Sequence, residues 1–220
     1  MAVFESLTPA ERARQLGNPE GTIGIAVAKW LNENNRQSNA KIVAMLGLAP
    51  GNYVLEIGFG NGRIVPDIIA QAADVRYAGI DISATMVEEA TRFNAALADA
   101  GRVRFHCGSA ERLPFAEDSF DRVFSIGVIH FWAEPIAPLV EVRRVLRHGG
   151  ISLMGCLHPR TAPDFARPEH GFHLRDAAGW TELYRAAGFT EIGVETVETQ
   201  QINPDGMPTT RYGFRITASG

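Results

Sequence analysis

The stretch Val54-Leu55-Glu56-Ile57-Gly58-Phe59-Gly60-Asn61-Gly62-Arg63-Ile64 constrains this chain most. An apolar run from Tyr53 to Ile57 drives into three glycines at alternate positions, and Ile64, Val65, Ile68 and Ile69 follow at helical spacing. That order reads as strand, tight glycine turn and helix. Glycine suits the turn because it adopts backbone angles that side chains resist, and because a missing Cβ lets a ligand lie against the main chain. Such a loop is a seat for a nucleotide-like ligand.

The chain around the loop alternates strand and helix, which predicts a parallel sheet covered on both faces. Strands are expected at about 52–57, 75–81, 102–107, 121–128 and 150–157, with two more at about 190–198 and 211–218. The first connecting helix is expected from Asn61 to Ala72. The second starts at Ser83, a good cap, and runs to Gly101; a third spans Pro135 to Leu146. Asp176 can cap a further helix carrying Trp180, Leu183, Tyr184 and Ala187 at i, i+3, i+4 and i+7. The connection from Gln200 to Thr210 suits a hairpin, hence an antiparallel last strand. Ahead of this domain, residues 1–50 read as an N-terminal helical cap, with a helix start at Thr8-Pro9-Ala10-Glu11 and the main domain at 51–220. Residues 158–174 hold three prolines and three histidines without a clear period, which reads as an ordered loop or short lid.

Length and charge exclude several classes. A chain of 220 residues can bury a full core without disulfide or metal. With 21 basic against 25 acidic residues, no footprint for nucleic acid or an anionic membrane stands out, and a small-molecule substrate is favoured. No apolar run approaches the ~20 residues of a membrane helix, and the charged first residues lack a signal-peptide core, so a cytoplasmic protein, monomer or homodimer, is expected. Cys107 and Cys156 lie in apolar strand-like runs and read as buried free thiols. Cys156, His158, His170 and His173 fit no zinc spacing, so no metal is expected.

A glycine loop by itself also serves dehydrogenases and flavoproteins. Three further residues narrow the ligand. Glu56 lies inside the strand, where a carboxylate is out of place unless it works near the strand's end. Arg63 stands where a dinucleotide fingerprint wants a small residue under the pyrophosphate, which argues against a nicotinamide-dependent oxidoreductase. Asp81 ends the next strand, where a carboxylate can take both hydroxyls of a ribose. A ribose is expected there and a pyrophosphate is not.

The motifs at Val54–Gly62, Gly79-Ile80-Asp81-Ile82-Ser83, Gly108-Ser109-Ala110-Glu111-Arg112-Leu113-Pro114-Phe115, Ser119-Phe120-Asp121-Arg122-Val123, Arg143 to Gly150 and Ala187-Gly188-Phe189 together resemble a class I S-adenosylmethionine-dependent methyltransferase of the small-molecule type. The resemblance covers about residues 40 to 218. It implies a seven-stranded doubly wound α/β sheet, order 3-2-1-4-5-7-6, with S-adenosyl-L-methionine as cofactor and S-adenosyl-L-homocysteine as product. It also implies methyl transfer by in-line displacement to oxygen, nitrogen or carbon of a small acceptor. By the same resemblance Gly58 and Gly60 approach the methionine part, Glu56 lies beneath its amino end, Asp81 holds the ribose, and Ile82 and Met86 flank the adenine. Ser109 stands where the family usually has an aspartate, with the Ala110 amide serving the ring and Glu111 able to replace the aspartate. Ile126 and Gly127 sit beside the methionine, with His130 beyond them as the first candidate base. His158 is the second, and His170 and His173 follow. A non-catalytic sensor on the same fold remains the alternative that these motifs do not exclude.

Overall fold

The structure, a computed structural model, describes residues 2–202 and 208–220. Its centre is a sheet of β1 (Tyr53–Ile57), β2 (Arg76–Asp81), β3 (Val103–Cys107), β4 (Phe120–Ile126), β5 (Leu146–Leu157), β6 (Glu191–Ile202) and β7 (Pro208–Ser219). The spatial order is β3-β2-β1-β4-β5-β7-β6, as expected. Strands β1 to β5 run parallel, and β7 enters antiparallel between β5 and β6. The order reverses between β1 and β4, and in such sheets the crevice at the strands' carboxyl ends receives ligands.

Helices cover both faces. The order along the chain is α1 (Ala2–Ser6), α2 (Pro9–Gly17), α3 (Gly21–Asn34), α4 (Arg36–Met45), α5 (Val65–Ile69), α6 (Ala84–Phe93), α7 (Ala95–Asp99), α8 (Ile136–Val145) and α9 (Ala177–Ala186). Near-continuous burial along β2 and β4 is what a sheet packed on two sides requires. One core joins β1, β4, β5 and β7 to α8 and α9 through Leu139, Val142, Trp180 and Tyr184; the other joins β1 and β2 to α4 and α5 through Val43, Leu46 and Ile68. Helix α4 therefore packs into the sheet's own core. Helices α1 to α3 sit over the carboxyl ends, where Ala13 of α2 packs with Ala166 and Phe172 of the 158–174 segment.

Several boundaries differ from expectation, each for a local reason. The helix expected over 61–72 is only Val65–Ile69, because Gly60 and Gly62 hold left-handed backbone at φ +56° and +68° and Pro66 marks the first turn. The helix expected from Ser83 to Gly101 breaks at Asn94. That buried side chain donates Nδ2 to the carbonyls of Ala90 (3.0 Å) and Gly62 (3.1 Å), so the end of α6 clamps the glycine loop. Strand β4 stops at Ile126 because Gly127 turns left-handed (φ +75°), and Ile129–Phe131 form a 3-10 turn. Strand β5 begins earlier, at Leu146, paired with Phe120 across an irregularity in register. The final hairpin pairs out to Ile202 and Pro208, so most of the loop expected between Gln200 and Thr210 is strand; positions 203–207 lie outside the described residues. Helix α1 was not legible as an element. Cys107 is exposed rather than buried because β3 is the sheet's edge; Cys156, in β5, is buried, and its thiol is pushed up to about 12.

Candidate functional site

The three glycines of the loop have three different surroundings. A Cβ on Gly58 would lie 2.3 Å from Cγ2 of Val128, and one on Gly62 2.8 Å from the Ala90 Cβ; at Gly60 it would meet nothing within 4 Å. Two glycines therefore serve packing, and Gly60 opens onto free space. Its amide donates to Asp81 Oδ2 (2.9 Å), while Asp81 Oδ1 accepts from the Ser83 amide (2.9 Å). Asp81 thus ties the end of β2 to the glycine loop and to the first turn of α6. Each carboxylate oxygen has a second lone pair, so two ribose hydroxyls can still be accepted. Burial pushes Asp81 up to about 6, opposed by those two amide bonds.

Glu56 is 2% exposed. Its Oε2 accepts from the Tyr77 hydroxyl at 2.7 Å, and Oε1 accepts no hydrogen bond among the described residues. Burial, with Asp81 nearby, pushes its carboxyl up to about 8 against the lowering effect of Tyr77. Tyr77 had no sequence signal beyond being a polar ring in a buried strand.

Glu56, Gly58, Gly60, Asn61, Ile126 and Gly127 line one side of a cavity of about 960 Å³ at the carboxyl ends of β1, β4 and β5. Its far side is aromatic, with Phe4, Trp30, Phe131, Phe165 and Phe172 among the lining residues. Phe4 stacks on Trp30 with centroids 4.3 Å apart. Trp132, next to Phe131 in the chain, packs instead against the main core. Asn32, Asn34, Asn35 and Asn39 all line the cavity, and Asn32 Nδ2 donates to Asn61 Oδ1 at 3.0 Å, joining α3 to the glycine loop. A second tie lies nearby: Ser83 Oγ donates to the Pro19 carbonyl, and the Gly21 amide donates to Thr85 Oγ1 at 3.2 Å.

The candidate bases separate. His130 lines the cavity but is 3% exposed, stacked on Phe172 with centroids 5.5 Å apart, and its Nδ1 has no partner. Burial pushes it down to about 3, so it is neutral near pH 7 and a weak base. His158 does not line the cavity: its Nδ1 accepts from the Arg160 amide (3.0 Å) and its ring packs 4.4 Å from that of Phe214. His170 is held through Nδ1 to the Phe165 carbonyl (2.9 Å), and the His173 amide donates to the His130 carbonyl (2.7 Å). No cluster of three metal-ligating side chains occurs among the described residues.

Directly after Asp81, Ile82 is 52% exposed. Met86 does not join it there: three residues after the cap Ser83 it faces inward, fully buried, and offers a ring no surface. Ser109 is exposed, and its Oγ accepts from the Glu111 amide (3.2 Å), which leaves the hydroxyl proton available. Arg63, unwelcome beneath a pyrophosphate, borders the cavity with its guanidinium over the Phe93 ring, 3.8 Å from the centroid.

Asp81→Ala is expected to weaken cofactor binding by about 1–3 kcal/mol, since it removes charged acceptors and leaves the Gly60 and Ser83 amides unpaired. Calorimetric titration with S-adenosylhomocysteine measures this, and an unchanged affinity overturns the ribose role.

Comparison with known proteins agrees with the geometry. Residues 55–154 match the family model described as a methyltransferase domain. An O-methyltransferase of Pyrenophora dematioidea is 32% identical over 203 residues, covering 87% of this chain and 69% of that one. An uncharacterized methyltransferase of Bacillus subtilis is 28% identical over 161 residues, covering 73% and 84%. The solved phosphoethanolamine N-methyltransferase 2 of Haemonchus contortus in complex with S-adenosyl-L-methionine has a TM-score of 0.74 at 18% identity, covering 97% of this chain and 60% of that one. A β1–β4 switch point, a glycine that opens onto the crevice and a carboxylate at the end of β2 are the parts such a cofactor needs, and with these relatives they place the chain among the class I S-adenosylmethionine-dependent methyltransferases.

Proposed function

We propose that the protein methylates a small, ring-bearing acceptor enclosed between the glycine loop and the aromatic side of the cavity, at oxygen, nitrogen or carbon. The observation that carries this is the cavity itself: one continuous, partly open space of about 960 Å³ is lined by Glu56 and Gly60 as well as by Trp30, Phe131 and Phe172. Cofactor and acceptor have adjoining seats there. When bound, S-adenosylmethionine supplies an activated methyl group on a sulfonium centre. The chain's part is then alignment and exclusion of water.

In this reading Glu56 receives the amino end of the methionine, the main chain at Gly58 and Gly60 lies along it, Asp81 accepts the ribose hydroxyls, and Ile82 with the Ser109–Ala110 turn borders the adenine. Ile126 and Gly127 border the reacting side. His130 closes the wall there. Its neutral ring is shaped to pack and to offer one hydrogen bond, and it is a poor proton acceptor while the surrounding rings keep it dry. An acceptor that is itself nucleophilic, such as a phenolate, needs no stronger base.

Transfer of radiolabelled methyl from S-adenosylmethionine to a library of small ring-bearing metabolites tests this reading. His130→Ala is expected to lower turnover of the responsive compound about tenfold through loss of alignment, with cofactor affinity unchanged. A protein that binds the cofactor yet methylates nothing in the library favours a sensor.

A further inference from the structure

The cavity carries a charge that its chain does not. The protein has a net charge of −4, but five cations line the cavity against two carboxyls, Glu5 and Glu56. Glu56 is pushed up to about 8 and is mostly protonated near pH 7. Two of the cations are accounted for: Arg63 lies on Phe93, and Arg215 pairs with Glu195. Arg12 lies over the Phe4 ring and donates to the carbonyls of Phe4 (3.0 Å) and Glu5 (2.5 Å), and none of Arg12, Lys41 and Arg211 forms an ion pair among the described residues.

Arg211 is the least ordinary of these. Its Nε is buried without a hydrogen-bond partner among the described residues, a costly state for a guanidinium donor. It stands opposite Thr199 in the β6–β7 pairing. Val197, Thr199, Gly213 and Arg215 share its face of the hairpin, and all line the cavity. The position is held from below, because Thr161 Oγ1 donates to the Tyr212 carbonyl (3.1 Å) and accepts from the Tyr212 amide (2.9 Å). Facing it is the α3–α4 corner: Asn34, Ser38 and Thr199 border both the main cavity and a neighbouring hollow of about 330 Å³. Asn39, at the same corner, has a buried Oδ1 without a partner. One end of the cavity is thus polar and cationic with unmet hydrogen bonds, and the other, at Phe131, Phe165 and Phe172, is aromatic.

We infer that the acceptor is a ring-bearing oxyanion whose anionic group is held by Arg211 at the β6–β7 wall, with its rings against the aromatic side. This rests on the reading of the cavity as the acceptor's seat. Charge complementarity supports it twice over. The two unneutralised arginines and Lys41 favour an anion, and a bound S-adenosylmethionine, with two positive groups and one negative, adds to that field. A neutral acceptor could meet the Arg211 donor only with a hydrogen bond lacking charge assistance, and an ammonium acceptor would be repelled by it.

The test uses the full chain saturated with S-adenosylhomocysteine, titrated by calorimetry with cinnamate and with its neutral isostere cinnamamide. Cinnamate is expected to bind at least about tenfold tighter, as one charge-assisted hydrogen bond requires, and raised sodium chloride is expected to weaken cinnamate alone. Arg211→Gln should remove most of the preference while leaving S-adenosylhomocysteine affinity unchanged, and Arg211→Lys should keep part of it. Equal binding of the two probes, no binding of cinnamate, or an equal loss of both in Arg211→Gln overturns the inference. If Arg211→Gln does not fold, the probe preference and its salt dependence in the parent protein decide the matter. Failure to bind S-adenosylhomocysteine would instead overturn the reading of the cavity beneath it.

Discussion

Replacing Gly58 with alanine is expected to destabilise the protein by roughly 2–5 kcal/mol and to abolish cofactor binding, whereas Gly60→Ala is expected to fold and still lose the cofactor. Both residues hold left-handed backbone, at φ +72° and +56°, so an added side chain strains each by about 1–2 kcal/mol. The difference is in what the new Cβ meets. At Gly58 it lies 2.3 Å from Cγ2 of Val128, the residue that leads into the Ile129–Phe131 turn and hence His130. That turn must move. At Gly60 it meets nothing in the protein and projects into space the ligand needs, close to the amide that Asp81 accepts from. Thermal unfolding separates the two, because Gly58→Ala shows a large loss of Tm and Gly60→Ala a small one. Calorimetry with S-adenosylhomocysteine then shows at least about a tenfold loss for both. A Gly60→Ala protein with full affinity would remove this loop from the cofactor seat.

The ligand-free protein is expected to lose about 2 kcal/mol of stability between pH 6.5 and 8. The sign follows from Glu56. Its folded carboxyl, at about 8, lies above its ordinary value of 4.5, so within that interval the folded state keeps a proton that the unfolded chain has released. The stabilisation is complete below about 4.5 and is lost as pH rises through about 8. Asp81, raised from 3.8 to about 6, acts in the same direction but has finished titrating by the start of the window. His130 opposes them at lower pH: held at about 3 instead of 6.5, it favours the folded state above 6.5, and that contribution is lost as pH falls through about 3. From about 4.5 to 6 His130 offsets one of the two carboxyl slopes, between 6 and 6.5 it offsets that of Glu56, and only Glu56 acts above. Denaturant unfolding at stepped pH measures the slope, about 1.4 kcal/mol per pH unit for one proton, and Glu56→Gln should flatten it. A parent protein equally stable at both ends of the window would mean that Glu56 is ionised without ligand.

Much of this molecule was legible as pattern. The glycine turn and the ends of β1 and β2 follow from short-range signals, where an apolar run meets a residue that a turn requires, and the sheet order followed from the family resemblance. The third helix came within a residue of its ends because Pro135 and the Arg143–Gly150 turn bracket it. The differences from expectation share a cause. Helix α5 is shorter than its pattern predicts, the helix from Ser83 breaks, and Met86 is fully buried, because each depends on what a residue meets across the fold: Pro66 after two left-handed glycines, Asn94 against the Gly62 carbonyl, and the inward face of α6. His158 is a base candidate by residue type, yet its Nδ1 is used within its own turn.

By itself the sequence determined a ribose-bearing ligand seat on an α/β sheet, because backbone geometry at a few glycines and the placement of one carboxylate at a strand end are local demands that specific residues announce; the cofactor class and the strand order followed from the resemblance that its motifs carry. Only the tertiary structure decided the acceptor's surroundings. The cavity draws its walls from α1, α3, α4, the 158–174 segment and the β6–β7 hairpin, elements far apart in the chain and without shared periodicity. Whether a histidine there is wet or dry, or an arginine met or unmet, depends on burial, and burial is a property of the assembled surface.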